Sequence, residues 1–160
     1  MGDALAAVTL ATAVGAALVA GVFLAFSALV MPALARGPAA EGIAVMRRIN
    51  RAAVGPGLMI PFLATSAGCA ALAVVAVVDW GEPHAPWLLA GGLLYLLGAL
   101  LLTGGYHQPR NLALGDVDPS APDAGARWTR YLGDWTPWNH IRSAAGLAAA
   151  AALVVAVRVG

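Results

Sequence analysis

The stretch "WTPWNHIRSAAGLAAAAALVVAV", residues 135–157, decides how the chain is read. Its second half is uncharged Ala, Leu and Val as far as Arg158, which suits the inside of a bilayer. Its first nine residues hold two Trp, an Asn, a His, an Arg and a Ser. A segment made for lipid therefore opens on a dense set of hydrogen-bonding groups. Such groups are costly at membrane depth and usually face a helix-packed interior or a cavity.

The rest of the chain repeats the apolar theme. Of its 160 residues 61% are hydrophobic and 11% charged, less than half the charge of an ordinary soluble domain, which is about 25%. Charged residues bracket four neutral runs: Asp3 to Arg36, Arg51 to Asp79, Glu82 to Arg110, and Arg142 to Arg158. A spanning helix needs about 20 mainly apolar residues. The expected fold is therefore all-α: a single integral membrane four-helix bundle with spans at about 4–30, 57–78, 87–106 and 137–157. The first span lacks a basic leader and is expected to be retained.

Prolines and glycines set the expected ends. Pro32 in "VMPAL" should stop the first span. Thr136 and Pro137 read as the N-cap and first residue of the fourth. In the loop after the first span, Ile43, Val45, Met46 and Ile49 alternate with Glu41, Arg47, Arg48 and Arg51. That pattern predicts a short amphipathic helix at the interface. A further short helix is expected around Arg127 to Leu132, and His84 reads as ordinary loop. Small residues four apart, such as Ala13 and Ala17, Gly21 and Ala25, Ala67 and Ala71, and Gly146 and Ala150, suit close helix approach.

Charge fixes an orientation. Arg36, Arg47, Arg48, Arg51, Arg110, Arg127 and Arg130 lie in the loops after the first and third spans, and only Arg158 lies opposite. By the positive-inside rule those loops are cytoplasmic and both termini lie outside. All nine basic residues are Arg, a bias that points to a GC-rich bacterial genome and so to a bacterial cytoplasmic membrane. The net charge of +1 gives no footing for nucleic acid. The single Cys69 excludes an internal disulfide. The expected partners are the bilayer and a lipophilic small molecule, with a homo-oligomer left open.

Candidate functional residues gather at one membrane face. Tyr106, His107, Gln108, Arg110 and Asn111 follow the third span; Trp128, Tyr131, Trp135, Trp138, Asn139, His140, Arg142 and Ser143 precede or open the fourth; Ser27 lies at the matching end of the first, and Asn50 and Arg51 precede the second. At about 100° per residue, Asn139, Arg142 and Ser143 share one broad helix face, with His140 at its edge and nearly opposite Arg142. Each has a structural alternative. The Trp residues suit an aromatic belt as well as a stacking platform, and Arg142 suits snorkelling to headgroups.

The elements "FSALVMPAL", "TGGYHQPRNLAL" and "WTPWNHIRSAAGLAAAAAL" together resemble the anthrone oxygenase-like family of small four-helix membrane proteins. The W-N-H-x-R run, here Trp138, Asn139, His140 and Arg142, is the most specific part. In the loop motif Pro109 and Asn111 match, while His107 stands where the family usually has Asn. Characterised members in fungal polyketide pathways oxidise an anthrone to an anthraquinone with molecular oxygen. The resemblance thus implies an oxidoreductase acting on a lipophilic polycyclic aromatic or phenolic substrate through a deprotonated enolate. No cofactor beyond oxygen is expected. His140 or His107 would act as the base, and Asn139, Asn111 and Arg142 would hold the oxyanion. Trp135, Trp138, Trp128, Tyr106, Ser27 and Ser143 would bind substrate. Two alternatives stay open: haem or copper held by His107 and His140, or a non-enzymatic protein that binds a lipophilic ligand or assists a complex.

Overall fold

The computed structural model describes residues 1–160, and the chain is helical throughout, with no strand. Four helices are long and apolar enough to cross a membrane. We label them α1 (Asp3–Ala35), α3 (Pro56–Val78), α4 (Ala85–Gly115) and α5 (Ala124–Val159). The amphipathic helix expected between the first two is α2 (Ala39–Ala53). It buries Gly42, Ile43 and Met46 and leaves Arg48 and Arg51 exposed. Four such helices are the mark of an integral membrane protein.

Three expected boundaries move. α1 does not stop at Pro32 but continues to Ala35. α4 runs on through the polar "HQPRN" segment to Gly115. α5 starts at Ala124, so the short helix near Arg127 is its first turns, and Thr136 and Pro137 are interior residues rather than a cap. The first two shifts share one cause. A proline lacks the N–H of an i→i−4 bond, and its ring collides with that carbonyl. Here the residue before each proline reaches one position further back, Met31 N–H to Phe26 C=O and Gln108 N–H to Thr103 C=O. These wider π-turns, at Phe26–Val30 and Thr103–His107, relieve the crowding and let each helix pass its proline. A third π-turn, Leu96–Leu101, precedes the second of them on α4.

Two cores divide the molecule along the membrane normal. One is built largely from small side chains, including Ala13, Ala16, Cys69, Ala99, Ala149 and Ala156. Backbones touch there: a Cβ on Gly146 would sit 2.8 Å from the Ala20 methyl, and one on Gly92 would sit 2.7 Å from the Cys69 carbonyl oxygen. Of the small-residue pairs, Gly146 and Ala150 are buried between helices, whereas Gly21 faces open space and joins nothing. The other core is made of large groups: Met31, Ile43, Met46, Trp128, Tyr131 and Trp135. Trp128 lies flat against Gly42 of α2 and so fastens the interfacial helix to α5. Tyr95 is fully buried with its hydroxyl donating to Phe62 C=O at 3.4 Å. His84 lies in the turn before α4, as expected, but it is buried, 3% exposed, beside Gly160 at the far end.

Gly146→Leu tests the small-residue seam. The added side chain meets Ala20 on α1, and overpacking of this kind costs about 1–3 kcal/mol. Denaturation in mixed micelles is expected to show that loss, while Gly21→Leu, facing open space, leaves the midpoint unchanged. Equal midpoints for the two variants would refute the seam.

Candidate functional site

The polar end of the molecule encloses a cavity of about 300 Å³, walled by residues from all five helices. Its apolar walls include Phe23 and Phe26 of α1, Met46 of α2 and Met59 and Phe62 of α3. Its polar pole is Asn50 of α2, Thr103, Gln108 and Asn111 of α4, and Arg142 of α5, with the Trp135 ring beside them.

Arg142 organises the pole. It is 5% exposed, and the close acid–base contacts of the chain, His84 with Asp79 at 4.0 Å and Arg127 with Asp123 at 2.6 Å, do not include it. Its Nε donates to Asn139 Oδ1 at 3.1 Å, and a second guanidinium nitrogen donates to the same oxygen. The third donates to Thr103 Oγ1 at 3.1 Å, whose hydroxyl passes its own proton to Ala99 C=O at 2.6 Å. The guanidinium carbon stands 3.7 Å over the Phe23 ring and 5.5 Å from the Trp135 ring. Cation–π contact and neutral acceptors thus replace the carboxylate that a buried cation usually finds. A guanidinium has more N–H groups than these bonds use, and its place on the wall leaves the remainder for a ligand.

Asn139 does not touch the cavity. Its amide nitrogen donates to Phe23 C=O at 2.6 Å and to Ser27 Oγ, while its oxygen serves Arg142. Every polar atom of the amide is engaged, so Asn139 positions Arg142 and ties α5 to α1. Ser27 completes that tie, and Ser143 donates to Asn139 C=O at 2.8 Å within its own helix. The amide of Asn111 is oriented from the other side. Its oxygen accepts from Tyr131 Oη at 2.8 Å and from Trp135 Nε1 at 3.1 Å. With the oxygen committed twice, the NH₂ group is the part free to serve the cavity. Asn50 adds another amide nitrogen, buried and without a partner.

The face expected from helical spacing is therefore present: Asn139, Arg142 and Ser143 are 0%, 5% and 2% exposed, while His140 is exposed. His140 opens onto an outer groove beside Met31, Pro32 and Pro137, away from the cavity. His107 is fully buried, with both ring nitrogens unpartnered, and lies edge-on to Trp135 at 5.0 Å and to Tyr106 at 5.6 Å. It sits behind the Trp135 ring rather than among the lining residues. The two imidazoles are thus not brought together, and no cluster of three His, Cys, Asp or Glu side chains stands ready for a metal. Trp138 is 41% exposed and lies tilted against Tyr106, ring centroids 4.7 Å apart, and Arg110 covers the Tyr106 ring at 3.4 Å. Trp128 stacks on Tyr131 in the core. Of the Trp residues named from sequence, Trp135 alone lines the cavity.

Asn50 and Gln108, read from sequence only as polar groups at this face, and Thr103, which was not singled out, complete the pole. Their signal lies in the structure of α2 and α4: an Asn at the end of an apolar stripe, and two polar groups at either end of a π-turn. Such turns are found often at functional sites.

The chain is thus a four-span membrane protein with a cationic, donor-rich chamber at one end. The family model for anthrone oxygenase matches residues 52–152, and the chain belongs to that family. No curated protein and no solved structure matches it.

Asn139→Ala leaves the buried guanidinium without its main acceptor. The expected cost is at least about 2 kcal/mol, since hydrogen bonds to charged groups are the strong ones. His140→Ala, on the outer face, should stay within about 0.5 kcal/mol of the parent. Denaturation midpoints of both variants in the same detergent decide it, and equal losses would refute the assignment of Asn139 as the support of Arg142.

Proposed function

We propose that the chamber oxidises a flat, lipophilic aromatic or phenolic carbon acid with molecular oxygen, as the family's anthrone chemistry suggests. The observation that carries this reading is the buried Arg142, a permanent cation on an apolar wall with no acidic partner. A delocalised enolate would meet Arg142 and the Asn111 amide at its oxygen, while Phe23, Phe26 and Trp135 face its rings. Donors fixed in advance around a developing oxyanion supply the largest single effect in many enzymes.

The steps balance without a further reductant. The carbon acid loses a proton to give the enolate, which passes one electron to oxygen. The resulting radical pair combines to form a C–O bond, and protonation gives a hydroperoxide. Loss of water, with the second hydrogen of the same carbon, leaves the quinone carbonyl. None of the lining side chains is an imidazole or a carboxylate. On this reading the substrate enters neutral and gives up its proton in the chamber, where Arg142 favours the anion and water takes the proton; neither His107 nor His140 lines the cavity, and neither is assigned as the base. The protein would lie in a bacterial cytoplasmic membrane with its Arg-rich loops cytoplasmic. The distribution of Arg between the loops supports that orientation.

The test is anthrone turnover under oxygen, corrected for the spontaneous reaction. Arg142→Gln is expected to lose on the order of 10²–10³ in rate, the range for removing an oxyanion donor. Turnover should rise with pH through the ionisation of the substrate itself, and His107→Gln and His140→Ala should keep that profile. A profile that changes in His107→Gln would return the imidazole to the mechanism. Binding without turnover in the parent protein would leave a ligand-binding protein instead.

A further inference from the structure

α3 and α4 form a hairpin that is closed at one end and open at the other. At the closed end Gly92 meets the Cys69 carbonyl so closely that no side chain fits between them. Nearer the site the Phe62 and Tyr95 rings lie 6.2 Å apart and floor the gap. Beyond that floor both helices line the cavity, α3 through Leu58 and Met59 and α4 through Leu100, Gly104 and Gln108. Among the lining residues Val54, Gly104 and Gln108 are exposed, so the cavity opens here.

The surroundings of this mouth are apolar. On α4, Leu97 and Leu101 are 57% and 60% exposed and lead at helical spacing to Gly104 and Gln108. On α3, Ile60 and Leu63 are 65% and 54% exposed on the other flank. Large aliphatic groups at such exposure are at home only against hydrocarbon. Gly104 has a further property: a Cβ placed there meets nothing within 4 Å. It needs no unusual backbone either, because no glycine in the chain has positive φ. Packing and conformation therefore leave the position free, and what its missing side chain preserves is the width of the opening.

We infer that the cavity fills sideways, from the hydrocarbon layer, through a fissure between α3 and α4 whose width is set by Gly104. The ligand class is an uncharged flat molecule of two or three rings that dissolves in the bilayer. A chamber of about 300 Å³ lies at the lower end of ordinary ligand pockets. Gly104 is on this account a specificity-determining residue, and the inference stands whether or not the bound molecule is oxidised.

Benzophenone is the probe, because it is a small, uncharged, lipophilic molecule of two rings and on irradiation inserts readily into methionine C–H bonds. The cavity wall carries two methionines, Met46 and Met59. In phosphatidylcholine nanodiscs, irradiation is expected to label both, as mapped by peptide mass spectrometry. Gly104→Phe should lower the yield read shortly after mixing about tenfold, because a barrier raised by ~1.4 kcal/mol slows entry by that factor. Gly21→Phe, at an open position on α1, should leave it unchanged. Leu58→Trp narrows the mouth from the opposite wall and serves if Gly104→Phe does not fold. Benzophenone disulfonate, which stays in water, should label neither methionine. Parental yield in Gly104→Phe or Leu58→Trp, no labelling of Met46 and Met59 in the parent, or equal labelling by the disulfonate would each overturn the lateral route.

Discussion

The arrangement of the polar end depends on one constraint: a guanidinium buried among membrane helices must be satisfied without being neutralised. Removing a charge from water costs several kcal/mol even after relaxation. Arg142 recovers that cost from Asn139, Thr103, the Phe23 ring and the Trp135 ring, which belong to α1, α4 and α5. These three helices can meet in few ways that serve all four contacts at once. A carboxylate at position 139 would satisfy the arginine more simply, but it would also cancel the charge. The amide holds the cation and leaves its field intact, which is what a site for a lipophilic anion requires.

The same constraint explains the irregular backbones. Asn139 bonds to Phe23 C=O and Ser27 Oγ, at the point where α1 widens into its π-turn. Thr103, which receives Arg142, begins the π-turn of α4. Each widened turn is followed at once by a proline, Pro32 or Pro109. The wider turns let both helices pass these prolines, and they carry Ser27 and Thr103 of the arginine network.

Much of the fold was legible because it depends on quantities that a single sequence carries. Four neutral runs bounded by charge give four long helices, and the stripe Ile43, Met46, Ile49 gives α2. Where reading failed, it failed at prolines. A proline ends a helix in isolation, but in lipid a broken helix would expose backbone groups with no water to satisfy them. Continuing through Pro32, Pro109 and Pro137 is the lesser cost there. In the site, the wheel of α5 separated Asn139, Arg142 and Ser143 from His140 correctly. The prominence given to His140 came instead from its place in W-N-H-x-R, and a motif does not say which way a side chain turns. Asn50 and Gln108 were legible as polar groups at this face, but their meeting with Thr103 depends on the register between helices, which no local pattern encodes.

A gradient of side-chain size along the membrane normal accounts for the chamber. At the far end Gly92 and Gly146 let backbones touch, and α3 and α4 cannot separate there. At the near end Met31, Met46, Trp128, Tyr131 and Trp135 act as wide spacers between α1, α2 and α5. Helices held together at one end and spread at the other must diverge, and aromatic rings too stiff to collapse into the gap leave it partly unfilled. The volume between them is therefore a consequence of packing as much as of any polar residue. On the function proposed above, Arg142 sets what that volume holds, because an apolar chamber with one uncompensated cation on its wall would favour a guest that is oily over most of its surface and negative at one edge.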